Sequence, residues 1–255
     1  MSNTDNVADA ARRALGPVGV CLPVSFTSNP HADSLREAVG RLEGAGYRAV
    51  WTNEVIGKDA MVQLAVLLSA SEQMAFGTCI ANIWARPAQT MHAAAAQLAQ
   101  AYPGRFVLGL GVGYPEQAAS VGQEFGSPLA TMRDYVNRMD SPTSPPAPDA
   151  PYPRIIAANG PKMLALAGDI ADGALPAMLP PEFTEQARES LGPDKLLVVG
   201  VSAVADGIAP AGIAAVVREH LTAGADHVTL LPPIGVEFDS GIRQLERLAP
   251  ALARL

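Results

Sequence analysis

Residues 105–113 read RFVLGLGVG. A Pro103-Gly104 turn leads into the run, apolar side chains fill it, and glycines end it. A short continuous apolar run bounded by turn signals is the pattern of a strand buried on both faces, as in a parallel sheet. Glycines at its C-terminal end leave backbone amides open to approach, and the carboxyl ends of parallel strands are where α/β proteins hold ligands. Residues 158–162, ANGPK, repeat that arrangement after a second apolar run. Both loops therefore point to a small-molecule site.

The alternation extends outward in both directions. Apolar strands are predicted at 18–22, 48–52, 75–80, 105–110, 154–158, 173–177, 195–203 and 227–231. Helical periodicity covers 5–15, 34–44, 59–70, 88–101, 132–139, 162–168, 182–191, 211–223 and 242–252. Ser34 and Glu37 read as a capping box, and Val62, Ala65, Val66 and Leu68 read as the core side of the next helix. Short apolar strands alternating with helices require a parallel sheet with right-handed crossovers. Eight such units in 255 residues predict one domain, 1–255, folded as an α/β (β/α)8 barrel rather than an open doubly wound sheet. Residues 141–153, SPTSPPAPDAPYP, break the pattern, because proline lacks the amide and clashes with helix. They read as a proline-rich, mobile surface loop.

A net charge of −7 and a pI near 5.1 argue against a nucleic-acid surface. No apolar stretch reaches the roughly 18 residues that span a bilayer, and the N-terminus has no signal-peptide core, so a cytoplasmic protein is expected. Cys21 and Cys79 fall in predicted strands and read as reduced core thiols. The four histidines show no metal spacing, so no metal site is expected. His92 and His220 are expected on solvated helix faces, and His31, in the first βα loop, is the one placed to face a ligand.

In such a barrel the site lies at the C-terminal mouth. The residues just past each strand are Pro23, Asn53 and Glu54, Cys79 to Asn82, Gly111 to Tyr114, Asn159 to Lys162, Met178, Ala205 and Asp206, and Pro232; Trp51 and Trp84 are expected nearby. Gly109, Gly111 and Gly113 do not make a dinucleotide fingerprint, since Tyr114 breaks the spacing, and no Walker pattern is present. Asn159, Gly160, Pro161 and Lys162 open a helix whose free amides and dipole suit an anion, with Lys162 adding a cation; an ordinary βα turn is the plainer reading. Glu54 could act as a general base, accept from a cofactor hydroxyl or ring nitrogen, cap the next segment, or pair with Arg86 or Lys58.

Four segments together resemble the bacterial luciferase-like monooxygenase superfamily, and within it the F420-dependent oxidoreductase branch. They are LEGAGYRAVWTNE, FGTCIANIWARPAQTMHAAAAQLAQAYPGRFVLGLGVG, PRIIAANGPKMLALAGDIADGALP and VVREHLTAGADHVTLL. The resemblance implies a (β/α)8 barrel with a deazaflavin ring in its mouth. It implies a bulge after the third strand with a non-prolyl cis peptide at Cys79-Ile80 behind the ring, and Asn82 just beyond. It puts Glu54 in the place of the family's acidic residue, lets Gly111 and Gly113 leave room near the ring, and gives Asn159, Gly160, Pro161, Lys162 and Met163 the phosphate of the cofactor tail. It also implies a homodimer through the second and third barrel helices.

The chain departs from that pattern. Relatives that carry Asp-His after strand two have Glu54-Val55 here, and those with Gly-Glu after strand four have Gly113-Tyr114. The loops after strands four and seven are shortened, which removes the segments that usually roof the pocket. The implied activity is hydride transfer between coenzyme F420 and a small organic substrate, with Glu54 and Tyr114 as candidate acid–base groups. An FMN-dependent monooxygenase of the same fold, and a trimmed barrel that binds a flavin-like ligand or none without turnover, are the alternatives.

Overall fold

The computed structural model describes residues 6–25, 27–55, 57–204 and 209–255. Its strands are β1 (Val18–Cys21), β2 (Ala49–Thr52), β3 (Ala75–Thr78), β4 (Ala81–Asn82), β5 (Phe106–Gly111), β6 (Arg154–Ala157), β7 (Gly173–Leu175), β8 (Leu196–Ser202) and β9 (His227–Leu231). They pair in parallel in the order β3-β2-β1-β9-β8-β7-β6-β5, and the pairing of β3 with β5 closes the ring. β4 continues the path of β3 beyond a cis, non-prolyl Cys79-Ile80 peptide. The lower half pairs Phe76 with Phe106 and Gly77 with Val107, and the upper half pairs Ala81 with Leu110 and Asn82 with Gly111. The result is the eight-stranded (β/α)8 barrel, one strand of which is kinked.

The helices are α1 (Val7–Leu15), α2 (Ala32–Gly44), α3 (Ala60–Leu68), α4 (Ala88–Ala101), α5 (Pro115–Ser120), α6 (Pro128–Met139), α7 (Pro161–Ile170), α8 (Pro181–Leu191), α9 (Pro210–Thr222) and α10 (Phe238–Leu252). Side chains alternate across each strand, so the core has two compartments. The outer one joins strand residues such as Val50, Phe76, Leu108 and Leu230 to the helices. The inner one holds Cys21, Ala49, Trp51, Ala75, Val107, Ile155, Leu175, Leu196 and Val198, and Ala8, Ala11 and Leu15 of α1 belong to the same cluster.

Trp51 sets the packing of that interior. Its indole is fully buried and its Nε1–H donates to His227 Nε2 at 3.0 Å. His227 Nδ1 lies 2.7 Å from the Gly16 carbonyl, so Nδ1 carries the proton and the imidazole is neutral. Glycine makes the space: a Cβ on Gly77 would sit 2.4 Å from Trp51 Cζ3, and one on Gly19 would sit 2.7 Å from His227 Nε2. Trp51 thus lies in the barrel interior rather than in the mouth.

Several local expectations are corrected. α2 begins at Ala32 with His31 as its cap, because the His31 Nδ1 accepts from the Asp33 amide; Ser34 and Glu37 lie inside the helix. On α3 the core side is Met61, Leu64, Leu67 and Leu68, while Val62 is 65% exposed. Apart from Gln63, which is itself buried, that helix is apolar all round, so its sequence alone did not say which face turns inward. Residues 141–153 hold no helix or strand, as expected, but end on a buried Tyr152 whose hydroxyl is 2.7 Å from His92 Nδ1, which anchors the segment. His220 is buried against Thr184 at 2.8 Å, not solvated. The expected helix start at Asp5 and the loop residues Ala205 and Asp206 lie outside the described residues.

Burial pulls the His227 imidazole down to about pKa 4, against its ordinary 6.5. The unfolded chain therefore takes up a proton at a pH where the folded chain refuses it. Stability from this residue is nearly complete above pH 7 and falls as pH drops toward 4, by roughly 2 to 3 kcal/mol at pH 4.5. Urea unfolding at pH 7 and pH 4.5 should show that loss in the wild type. His227→Gln, which cannot titrate, should show a difference between the two pH values smaller by about that amount.

Candidate active site

The strands' carboxyl ends converge on a shallow mouth. Its floor is formed by Cys79, Ile80, Ala177 and Leu231, half-buried side chains that cap the inner cluster. Asn159 reaches this floor: its Oδ1 accepts from the Ala177 amide at 2.9 Å and its Nδ2 donates to the Ala177 carbonyl at 3.2 Å. Asn159 is thereby tied to Ala177, and Gly111 pairs with Asn82 of β4, just beyond Cys79 and Ile80. The floor is uncharged, because burial pushes the Cys21 thiol beneath it up to about 12 and Cys79 well above its usual range. Both cysteines are free thiols.

Glycines serve this floor indirectly. A Cβ on Gly111 would meet Ile80 Cγ1 at 2.6 Å, so the room at Gly111 is taken by Ile80. Gly113 has φ +58°, and a Cβ there would lie 1.9 Å from Gln117 Oε1, which accepts from the Tyr114 amide at 2.9 Å. Gly113 is thus demanded by the turn into α5. Tyr114 is 71% exposed on that turn, away from the floor's contacts.

Glu54 is not poised as a base. It is 6% exposed and its carboxylate is saturated. Oε1 accepts from the Ala60 amide at 3.0 Å, Oε2 from the Asn82 amide at 2.8 Å, and Arg86 forks onto both oxygens. The Glu54 amide donates to the Ile80 carbonyl at 3.0 Å. Arg86 also reaches Asp59 Oδ2 at 3.0 Å, and Asp59 caps α3 through the amides of Met61 and Val62. Of the readings open at the sequence level, cap and ion pair are the ones present. The clamp holds the loop after β2, the start of α3 and the start of β4 together.

Across the mouth, α7 starts without a side-chain cap, with Gly160 extended and Pro161 in its first turn. A Cβ on Gly160 would meet nothing within 4 Å. Lys162 is exposed and has no partner among the described residues. Met163 differs from the expectation: its side chain packs into the outer core, and its amide donates to the Gly160 carbonyl at 3.1 Å.

Two hollows border the strand ends. One, of about 390 Å³, lies between the loop after β2, the loop after β4 and α5, and is lined by Glu54, Lys58, Asn82, Trp84, Arg86 and Gln117 among others. The other, of about 700 Å³, lies at the rim between the loop after β1 and α10, and Pro23 is the one residue of the expected mouth that lines it. The first brings Glu54 and Asn82 together with Lys58, Trp84 and Gln117. The sequence held no signal for Gln117, and marked Lys58 only as a partner for Glu54. Among the described residues, no group of three or more His, Cys, Asp and Glu side chains could hold a metal, and no helix is long and apolar enough to cross a membrane.

Residues 17–192 match the family model for luciferase-like monooxygenases. The chain belongs to that family. A protein of Mycobacterium tuberculosis, provisionally named a coenzyme F420-dependent oxidoreductase, is 30% identical over 61% of this chain and 54% of its own length. A 5,10-methylenetetrahydromethanopterin reductase of Methanolobus tindarius is 28% identical over 52% of this chain and 46% of its own. The chain thus spans about half the length of the curated relatives it matches. Among solved structures, an F420-dependent secondary alcohol dehydrogenase, in complex with an F420-acetone adduct, superposes with a TM-score of 0.75 at 17% identity. That superposition covers 92% of this chain and 98% of the other, and it shows the shared fold.

The clamp makes a measurable claim. Glu54→Ala leaves Arg86, 8% exposed, without its main partner in a buried setting. Loss of one partner of a buried pair costs about 3 kcal/mol or more, so the variant should unfold at markedly lower urea concentration. A Glu54→Ala protein as stable as wild type would return Glu54 to the list of available bases.

Proposed function

We propose that this chain is an F420-dependent oxidoreductase that moves a hydride between the deazaflavin and a small organic substrate. One observation carries the reading. Half-buried, uncharged Cys79, Ile80, Ala177 and Leu231 cap the inner cluster, and Ala177 is bonded to Asn159, which leads into the uncapped start of α7 and Lys162. A tricyclic ring needs the first and an anionic tail the second. The name of the Mycobacterium tuberculosis relative favours F420 over FMN as the occupant.

In this arrangement Cys79 and Ile80 back the ring, and Gly111 serves by seating Ile80 against it. The backbone of Asn159, Gly160 and Pro161, with Lys162, holds the tail phosphate, and Asn82, beside Gly113, edges the ring. Glu54 acts one step removed, by fixing the bulge. The cofactor when bound supplies the hydride chemistry; the chain's residues bind it, orient it and keep the floor dry.

Titration with F420, FMN and FMNH2, read by tryptophan fluorescence, tests this. Trp84 reports from the mouth, whereas Trp51 is fully buried. Saturable quenching by F420 is expected, with Lys162→Ala weakening it about 5- to 10-fold and more strongly at low salt. Preference for FMN would favour a flavin monooxygenase, and no response to any ligand would favour a barrel without turnover.

We also propose a homodimer through α3 and α4. Residues 60–71 and 87–104 contain no Asp, Glu, Lys or Arg, in a chain that is 17% charged. On α3 Val62 and Ala65 are exposed, with Ser69 at its C-cap, and α4 adds a half-buried Ala93. Val62→Lys should shift the protein from dimer to monomer in sedimentation equilibrium. A wild-type chain that sediments as a monomer at tens of micromolar would refute the dimer.

A further inference from the structure

The 390 Å³ hollow beside the floor has a composition that points to what it takes. Val55, Trp84, Ala85 and Val121 give it apolar walls. Its formal charges cancel: Glu54 and Asp59 against Lys58 and Arg86. Arg86 is consumed by the two carboxylates. Lys58 is not. Its Nζ donates to Asn53 Oδ1 at 2.6 Å and to Thr52 Oγ1 at 3.4 Å, both neutral, and no carboxylate of the described residues lies within ion-pair distance. An ammonium has three N–H groups, so one is left over.

Lys58 is also close to the floor. The Thr52 carbonyl accepts from the Cys79 amide at 2.7 Å, so the residue whose hydroxyl meets Nζ is bonded to the bulge itself. We propose that this hollow is the acceptor pocket, that it takes a small uncharged carbonyl compound, and that Lys58 donates the proton to the carbonyl oxygen. The proposal rests on the F420 reading above.

The charge balance argues for a neutral guest. An anion would need a net positive hollow and a cation a net negative one, and this hollow is neither. A spare, half-buried N–H asks for a single acceptor atom, which a carbonyl oxygen supplies. In the reducing direction the carbonyl carbon gains a hydride, with its electron pair, from the reduced deazaflavin. The C=O π pair moves onto oxygen, which takes the proton from Nζ. The products are an alcohol, the oxidised cofactor and a neutral Lys58 amine, which solvent reprotonates. Burial helps, since it holds the Lys58 ammonium below the usual lysine range against the opposing pull of Cys21 and Glu54. The charged and titratable groups around it are Cys21, Glu54, Asp59 and Arg86.

The chain has three lysines, Lys58, Lys162 and Lys195, so selective 13C-lysine labelling gives a spectrum in which Lys58 is assigned by its loss in Lys58→Met. Cyclohexanone added to the cofactor-free protein should shift the Lys58 Cε–Hε signal and leave Lys162 and Lys195 in place. Cyclohexanecarboxylate and cyclohexylamine should leave Lys58 unmoved. With F420H2, Lys58→Met should lower kcat for cyclohexanone about 100-fold or more while changing F420 affinity less than twofold. Lys58→Arg, which keeps the charge but not the acidity, should stay low and covers the case in which the methionine variant does not fold. An unmoved Lys58 signal with cyclohexanone, or wild-type turnover in a variant that binds F420, overturns the proposal. If the wild type binds no F420 but cyclohexanone still shifts Lys58, the cofactor reading has failed while the pocket assignment stands.

Discussion

One indole determines where the mouth begins. Trp51 spans the barrel interior because Gly19 and Gly77 carry no Cβ where the indole and its imidazole partner need to be. Interiors pack at crystal-like density, so a side chain of that size in a ring of eight strands leaves little else to be filled beneath the mouth. The layer above it is made of half-buried Cys79, Ile80, Ala177 and Leu231. A ligand entering from the carboxyl ends therefore meets a shallow apolar floor. His227 completes the arrangement: it satisfies the indole N–H and is itself satisfied by the Gly16 carbonyl. The two rings leave no unpaired nitrogen between them in a dry interior.

The second constraint is the Glu54–Arg86 pair. Burying two charges is costly unless every lone pair and proton is met, and here they are met by the amides of Ala60 and Asn82 and by Asp59. What the pair provides is position. It ties the end of β2 to the start of β4, on either side of the Cys79-Ile80 bulge. A carboxylate so occupied is a poor proton acceptor. Lys58 beside it bonds only the neutral Asn53 and Thr52, which leaves one of its N–H groups without a partner among the described residues.

The mouth is polarised from side to side. The clamp, Lys58 and the small hollow lie by the loops after β2 and β4, while the uncapped start of α7 and Lys162 lie past β6. The floor runs between them. That layout sets an exposed, unpaired cation on one side of the mouth and a hollow whose formal charges cancel on the other.

Much of the fold was legible in the chain itself. Eight apolar runs alternating with helices require a parallel sheet, because buried parallel strands need apolar side chains on both faces, and their number in this length favours the closed barrel over an open sheet. The strand ends fall within two residues of the expected positions, and the cis peptide stands at Cys79-Ile80, where the family resemblance, not the pattern of residues, put it. Residue roles at the mouth were not legible. Gly111 makes room for Ile80, Gly113 for Gln117, Val62 turns outward, and Glu54 is saturated by partners 6, 28 and 32 positions along the chain. Periodicity reports which face of an element is apolar, a property of neighbours in sequence. Which side chain fills a gap, or has a proton to spare, depends on neighbours brought together by ring closure, and only the tertiary structure supplies those.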